Sequence, residues 1–253
     1  MTRPHPGTAL SAVEDPATPG CSPLRDCLHC SVRHLAVCSA LAPDEVQALE
    51  RVTVSLPLPQ GATLARAGEP RQHVYTLTGG ALRLVRTLSD GRRQISGFVL
   101  PGDYLGLTGS DHHRYDIEAI ADSRVCRVAL PQMKDLRARF PHLERKLLQR
   151  ACQELDDAHD AALSLGRLQP AEKLADFLLR LAARQARLGE NGLRVTLPMG
   201  RGDIADHLGL TMETVSRTFT KLRQQGLIAL PHLNTVEILD EDGLRLLSAD
   251  ETY

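Results

Sequence analysis

The sequence predicts an α+β chain in which an N-terminal antiparallel β-roll or jelly roll is followed by one long helix and a C-terminal winged helix-turn-helix. Three patterns predict this order. Short segments rich in Val, Leu, Ile and Thr, separated by turns, run from Val52 to Leu130. A narrow apolar seam with helical spacing follows Pro141. Two short helical segments and a hairpin pattern then close the chain. The predicted segments are a leader (1–20), a cysteine-rich segment (21–50), the β-roll (51–130), a short helix with the long helix (131–166), and the winged helix-turn-helix (167–253).

The composition is that of a globular protein with enough residues for two modest domains. Of the 253 residues, 42% are hydrophobic and 24% charged. Aromatic residues make up only 3%, so the cores must be built from Leu, Val, Ile and Ala. The net charge of −1 excludes a polycation, and any nucleic-acid site must therefore be local. No apolar run approaches the roughly 18–20 residues that a membrane span needs.

The first 20 residues are rich in Pro, Gly, Ala and Thr and lack the apolar stretch of a signal peptide. They are predicted to be a disordered leader, and the chain is expected to be cytoplasmic. In that reducing compartment the six cysteines are not expected to form structural disulfides.

Three cysteines stand close together in the stretch CLHCSVRHLAVC, at Cys27, Cys30 and Cys38. Such spacing serves disulfides, metal or cluster ligation, or a redox thiol pair. A C-x-x-C pair also begins many zinc sites, and His29 and His34 keep zinc open as an alternative.

The β-roll is predicted from five segments with high strand propensity, several of them alternating between apolar and polar residues. Glycine-containing pairs separate them, and Asp90-Gly91 is a favoured two-residue hairpin turn. Closely spaced short strands of this kind predict a small antiparallel barrel or jelly roll. The segments are VTVSLPL, HVYTLT, ALRLVRTL, RQISGFVL and SRVCRVAL.

Pro131 is predicted to begin a short helix and Pro141 a much longer one. The long helix carries an apolar seam as narrow as that of a two-stranded coiled coil, which predicts a dimerisation helix and a homodimer. The alternative is a helix that only covers the β-roll. Charged residues on its other faces favour the dimer. The predicted seam consists of Leu147, Ala151, Leu155, Ala158, Ala162 and Leu165.

The C-terminal part has the order of a winged helix-turn-helix. PAEKLADFLLRLAARQARLG predicts a helix from Pro170 to Gly189, and LRVTLP a strand. RGDIADHLG and TMETVSRTFTKLRQQG predict two helices joined by a tight turn, and LIALPHLNTVEILD a hairpin.

The second of these two helices has the chemistry of a DNA-reading helix. Thr211 suits the N-cap. Glu213, Ser216 and Arg217 share one face, and these residue types bind base edges. Ten Lys and Arg stand against six Asp and Glu over residues 167–226, a local charge of +4. The alternative is an exposed helix with a weak Glu–Arg pair. The predicted DNA-binding residues are Thr211, Glu213, Ser216 and Arg217, with Lys221 and Arg223 for phosphates.

This organisation resembles the CRP/FNR family of transcription regulators. The most specific stretch is RGDIADHLGLTMETVSRTFTKLRQQGLI, and PGDYLGL and SRVCRVAL resemble the family's β-roll segments. The resemblance implies a β-roll sensor domain, binding of double-stranded DNA at a two-fold symmetric TTGAT-like site, and RNA polymerase as a partner.

Within the family, the cyclic-nucleotide branch carries a Gly-Glu pair and an Arg-Ser/Thr pair. Here Leu107 follows Gly106 where the acid would stand, and Asp116 falls near the place of the arginine. A carboxylate there would repel a cyclic phosphate, so no cyclic nucleotide is expected, although Arg114 is nearby.

The oxygen-sensing FNR branch instead uses an N-terminal cysteine group and one cysteine of the β-roll. The resemblance implies a 4Fe–4S cluster bound by Cys27, Cys30, Cys38 and Cys126. Seven residues separate Cys30 from Cys38, where the best-known pattern has five. Cys126 alone would be interpreted as a core residue.

The two remaining cysteines have simpler interpretations. Cys21 is a spare thiol or a substitute ligand, and Cys152 a small residue of the long helix.

The predicted function is therefore an oxygen-responsive transcription regulator without enzymatic activity. No G-x-G-x-x-G motif, phosphate loop or nucleophile–base set supports an enzyme. The alternative is a regulator of the same family gated by zinc or by thiol oxidation.

Overall fold

A computed structural model describes residues 27–248. The predicted leader and Cys21 lie outside the described residues. In the described part the predicted α+β architecture is confirmed: a β-roll, a long helix and a winged helix-turn-helix follow one another along the chain.

The β-roll consists of two four-stranded antiparallel sheets that face each other. The strand order is β1-β8-β3-β6 in one sheet and β2-β7-β4-β5 in the other. Leu77, Leu82 and Val125 are completely buried between them. The strands are β1 (Thr53–Leu58), β2 (Thr63–Ala65), β3 (His73–Gly79), β4 (Leu82–Thr87), β5 (Arg93–Val99), β6 (Tyr104–Leu105), β7 (Asp116–Ala119) and β8 (Ser123–Ala129).

The predicted hairpin at Asp90-Gly91 joins β4 to β5. Gly91 has φ +86°, which favours glycine, and the N–H of Leu88 donates to the carbonyl of Arg92 at 2.8 Å. The sequence did not predict β2, β6 or β7, which are only two to four residues long.

Before the β-roll, the cysteine-rich segment forms a compact loop, a short 3₁₀ helix (Val37–Ala40) and helix α1 (Pro43–Val52). Pro43 stands at the first turn of α1, and the carboxylate of Glu45 accepts from the N–H of Ala42 at 2.8 Å. Helix α1 was not predicted.

Two helices leave the β-roll. Helix α2 spans Leu130–Arg139 and α3 spans Pro141–Arg167, which confirms Pro141 as the first residue of the long helix. Phe140 lies outside helical geometry and separates them, because Pro141 disfavours helical geometry in the preceding residue.

The winged helix-turn-helix is formed by four helices and a three-stranded sheet with the order β10-β11-β9. The first of these helices ends at Ala186 rather than at Gly189, and the last was not predicted. The elements are α4 (Pro170–Ala186), β9 (Arg194–Thr196), α5 (Arg201–Leu208), α6 (Met212–Gln224), β10 (Ile228–His232), β11 (Thr235–Ile238) and α7 (Glu241–Ser248).

The C-terminal domain packs against the β-roll. Phe98 of β5 contacts Phe177 of α4 and His207 of α5, with ring centroids 6.1 Å and 5.2 Å away. These residues belong to one apolar cluster that runs from the β4–β5 sheet into the core of the winged helix-turn-helix. Among the helices of residues 27–248, none combines the length and apolar character that crossing a membrane requires.

Candidate functional site

Cys27, Cys30, Cys38 and Cys126 line one cavity of about 50 Å3. The first three come from the loop before α1, where a turn closed by the N–H of Arg33 and the carbonyl of Cys30 folds the chain back on itself. Cys126 comes from β8, which lies between β1 and β3 in the sheet. The fold thus brings together four cysteines that the family resemblance singled out and that lie up to 99 positions apart in sequence.

The cavity that the half-buried thiols line has a largely apolar wall. Val37, Val74 and Met133 are buried in its wall. Burial raises the pKa of the Cys27 thiol to about 12 and that of Cys38 to about 11, and the neighbouring thiols add to the shift. At neutral pH these groups are therefore thiols, and binding of iron or zinc must displace their protons.

Among residues 27–248, no three His, Cys, Asp or Glu side chains are arranged to hold a single metal ion. A tetrahedral zinc site requires four ligands about 2.0–2.3 Å from one ion. A 4Fe–4S cluster also takes four cysteines, and it binds one thiolate at each iron.

His29 and His34, which left zinc as an alternative in the sequence analysis, do not lie in the wall of this cavity. The Nε2 atom of His34 instead lies 3.3 Å from the carbonyl oxygen of Arg187, beyond the end of α4. Cys152 is exposed on α3.

The cysteine loop shares its apolar core with the start of the long helix. Val37 and Leu41 are buried in the same cluster as Leu143 and Leu147 of α3. The cysteine loop therefore packs directly against the first half of α3.

The predicted seam of α3 needs one correction. Leu147 is 95% buried within its own chain, whereas its neighbour Leu148 is 64% exposed. With Leu148 in its place, the seam follows a regular alternation of three- and four-residue steps, as in a coiled coil. The corrected seam is Leu148, Ala151, Leu155, Ala158, Ala162 and Leu165.

Helix α6 begins as predicted. The hydroxyl of Thr211 accepts from the N–H of Thr214 at 3.1 Å and caps the helix. Val215, Phe219 and Leu222 are buried and attach α6 to the domain core. The opposite face is left free, which is the arrangement that a reading helix requires.

The free face of α6 carries a shallow groove of about 300 Å3. Arg217 lines this groove and forms an ion pair of 2.5 Å with Glu213, and the two side chains are 79% and 71% exposed. Thr220 and Gln224 also line the groove. The sequence prediction left them out because their polar side chains resemble those of any exposed helix. Arg223 is exposed but does not line the groove. The groove is lined by Ser216, Arg217, Thr220, Lys221 and Gln224.

One basic residue of this domain was missed by the sequence prediction. The guanidinium carbon of Arg201 lies 3.2 Å from the ring centroid of Phe219, and burial lowers its pKa to about 10. Nothing in the sequence distinguishes this arginine from an exposed one at a helix start.

At the place of the family's phosphate-binding arginine, the carboxylate of Asp116 accepts from the N–H of Ala67 at 2.9 Å. An acidic group is thus fixed there, and the absence of cyclic-nucleotide binding stays a prediction.

Comparison with known proteins agrees with this architecture. Residues 55–140 match the model of the cyclic nucleotide-binding domain, and residues 172–247 match that of the Crp-like helix-turn-helix domain. The chain is 40% identical to the nitrogen fixation regulation protein FixK of Bradyrhizobium diazoefficiens, over 88% of this chain and 94% of that protein.

Two further comparisons cover most of the chain. It is 35% identical to the transcriptional activator protein FnrL of Cereibacter sphaeroides, over 86% of this chain and 89% of that protein. The structure of FixK2 from Bradyrhizobium japonicum matches with a TM-score of 0.73 and 35% identity, over 78% of this chain and 97% of that one.

Proposed function

The chain belongs to the CRP/FNR family of transcription regulators, and we propose that it is an oxygen-responsive activator whose signal enters through a 4Fe–4S cluster. It carries the family's DNA-binding helix-turn-helix and is not an enzyme. The observation that carries the proposal is that Cys27, Cys30, Cys38 and Cys126 line one cavity. Soft thiolate sulfur is the ligand type that iron–sulfur clusters take.

These four residues would hold the cluster, which supplies iron–thiolate bonds that oxygen can destroy. The chain's own contribution is to place the half-buried thiols in a largely apolar wall and to tie the loop to β8. Once that tie is lost, the loop is held mainly by its apolar contacts, chiefly Val37 and Leu41 against Leu143 and Leu147.

The response is proposed to reach DNA through the pairing of two chains. The exposed seam of α3 contains three alanines, so two helices approach closely but bury little area per residue. Within the chain, Asp160 pairs with Arg180 at 3.2 Å and Glu154 lies 3.9 Å from Arg150. Asp156 and Asp157 add repulsion between copies. Pairing is then finely balanced, and a coupling of about 1–3 kcal/mol is enough to shift it.

A dimer places two α6 helices on a two-fold symmetric duplex. The resemblance gives TTGAT-like half-sites about one helical turn apart, where Arg217, Glu213 and Ser216 would read bases. Contact with RNA polymerase follows from the family and is part of the proposal.

The direct test is metal analysis of protein isolated without oxygen. We expect about four irons and four labile sulfides per chain and a broad absorption band near 400 nm. Replacement of Cys27, Cys30, Cys38 or Cys126 by Ser should abolish the band. The matched control is Cys152→Ser, which removes an exposed thiol and should leave the band unchanged.

Two other results would replace the proposal. Stoichiometric zinc without labile sulfide would show a zinc-gated regulator. Metal-free protein whose DNA binding changes reversibly with thiol oxidation would show a redox switch.

Sedimentation before and after exposure to air tests the second half of the proposal. The chain should change from dimer to monomer at micromolar concentration. Constant mass with loss of DNA binding would mean that the signal reorients a standing dimer.

A further inference from the structure

The first helix of the helix-turn-helix is attached to the β-roll by an ion pair. The Nη1 atom of Arg83, on β4, lies 2.7 Å from a carboxylate oxygen of Asp203, in the first turn of α5. Both side chains are largely shielded from water, with 24% and 16% of their surface exposed. An ion pair in such surroundings is screened less than one on the surface.

Arg83 is held in place from its own sheet. It lies opposite Glu118 in the register of β4 and β7, and its Nε and Nη2 atoms approach one oxygen of Glu118 at 2.8 Å and 2.7 Å. Because the guanidinium is already fixed by Glu118, forming the ion pair with Asp203 costs Arg83 little further side-chain entropy.

The other end of α5 is attached as well. The ring of His207, in the last turn, places Nδ1 3.0 Å from the carbonyl oxygen of Ile95. The amide of Gln94 donates to the carbonyl of His207 at 3.2 Å. Asp203 and His207 are four residues apart and so share one face of α5, and this face lies on the β-roll.

The contacts between α5 and the β-roll help to fix the direction of the C-terminal domain, because the covalent connection between α3 and α4 has only two residues. Only Leu168 and Gln169 join α3 to α4, and both have extended backbone geometry. Without contacts to the side, the direction of the whole C-terminal domain would depend on the dihedral angles of two residues.

The docked arrangement leaves the reading face free. The β-roll contacts α5 and α4, whereas Glu213 and Arg217 of α6 remain more than 70% exposed. Docking therefore does not block DNA, and it fixes α6 relative to the β-roll because α5 and α6 share one apolar core.

We propose that Arg83 is a positioning residue for DNA recognition, which holds Asp203 and thereby sets the orientation of α6. Two half-sites lie at a fixed distance and rotation, so a dimer gains from this orientation only when both helices bind at once. Binding to a single half-site needs no such alignment.

The test uses the full-length protein, isolated without oxygen, and a symmetric duplex selected by the wild type from a randomised pool. A second duplex keeps only one of its half-sites. Arg83→Ala and Asp203→Ala should each weaken binding to the symmetric duplex about tenfold and leave binding to the single half-site unchanged. The double variant should be no weaker than either single variant, because the pair is then already broken.

The matched control is Arg93→Ala. It removes the same charge from the neighbouring strand, where Arg93 lies 4.0 Å from the same Glu118 oxygen and has no ion pair with α5 among the described residues. It should change binding to either duplex by less than twofold. The mass in sedimentation should be the same for all four variants.

Three results would overturn the proposal: equal loss on both duplexes, which shows a general defect of the domain; additive losses in the double variant; and tighter binding by Arg83→Ala, which would show that docking inhibits. The experiment does not depend on the cluster. A failed metal analysis leaves the comparison of the two duplexes intact.

Discussion

The side chain of Leu35 lies directly against the α-carbon of Gly102: a β-carbon placed on Gly102 would stand 2.7 Å from the β-carbon of Leu35. Leu35 belongs to the loop between Cys30 and Cys38. The residue after Gly102, Asp103, accepts hydrogen bonds from Arg150 of α3 and from Arg184 of α4. The cysteine loop, the long helix and the DNA-binding domain therefore meet at one turn of the β-roll.

Gly102→Ala is expected to disturb this meeting point. Gly102 has φ +95°, where a side chain costs about 1–2 kcal/mol, and the clash with Leu35 adds about 1–3 kcal/mol. We expect a loss of about 2–5 kcal/mol in the free energy of unfolding by urea and, for the proposed cluster, faster loss of iron in air.

Gly91→Ala is the matched control. Gly91 has φ +86° and would place its β-carbon in open space, so only the backbone cost applies. Equal losses for the two variants would show that the contact with Leu35 contributes nothing.

The corrected seam predicts opposite effects for two adjacent leucines. Leu148→Asp puts a charge into the proposed dimer contact and should halve the mass in sedimentation, while thermal unfolding stays cooperative. Leu147→Ala empties a buried site and should lower the free energy of unfolding by about 2–5 kcal/mol without changing the mass. A dimeric Leu148→Asp protein would place the dimer contact elsewhere.

These two residues also show the limit of sequence reasoning. The three- and four-residue spacing correctly predicted a long amphipathic helix starting at Pro141. It placed Leu147 in the seam instead of Leu148, because both are apolar and either continues the pattern. The choice is made by the core around Val37 and Leu41, which only the tertiary structure defines.

The same reason explains the other omissions. Strands β2, β6 and β7 are too short for an alternating pattern to be recognised. Asp203 and His207 resemble the solvent-facing polar residues of any short helix, although they face the β-roll. Local signals such as the Thr211 cap and the position of the hairpin at Asp90-Gly91 were predicted correctly, since they depend on neighbouring residues alone. The predicted two-residue turn is a loop of three residues between Leu88 and Arg92.

On helix α6, a base-reading and a phosphate-binding residue should be separable. Arg217→Ala should cost about 1–3 kcal/mol on the preferred duplex and relax the preference at one base pair of each half-site. It also frees Glu213 from an exposed ion pair, which contributes little in itself. Selection from a randomised pool measures the preference, and an unchanged pattern would mean that Arg217 does not read bases.

Lys221→Ala serves as the comparison. Lys221 lines the same groove, but its charge suits phosphates, so binding to all sequences should weaken alike. The slope of log K against log salt should fall by about one per chain. A change in base preference would show that Lys221 contacts bases as well as phosphates.

His207 predicts a specific loss of stability in acid. Burial lowers the pKa of its imidazole below the usual 6.5, and the nearby Arg184 lowers it further, while the hydrogen bond to Ile95 and the charge of Asp176 oppose the shift. Below pH 6.5 the unfolded chain therefore binds a proton at His207 that the folded chain does not, so stability falls as the pH falls. The contribution of this residue is fully present above pH 6.5 and decreases by at most about 1.4 kcal/mol per pH unit below it.

The variant His207→Gln tests this pH dependence, because it keeps a hydrogen-bond donor for the carbonyl of Ile95 but does not titrate. Urea unfolding of both proteins at pH 7, 6 and 5 should therefore show a steeper decline for the wild type, and the other histidines cancel in the comparison. Parallel declines would mean that His207 is protonated as readily in the folded protein as in the unfolded chain, and that the contact between α5 and the β-roll opens to water.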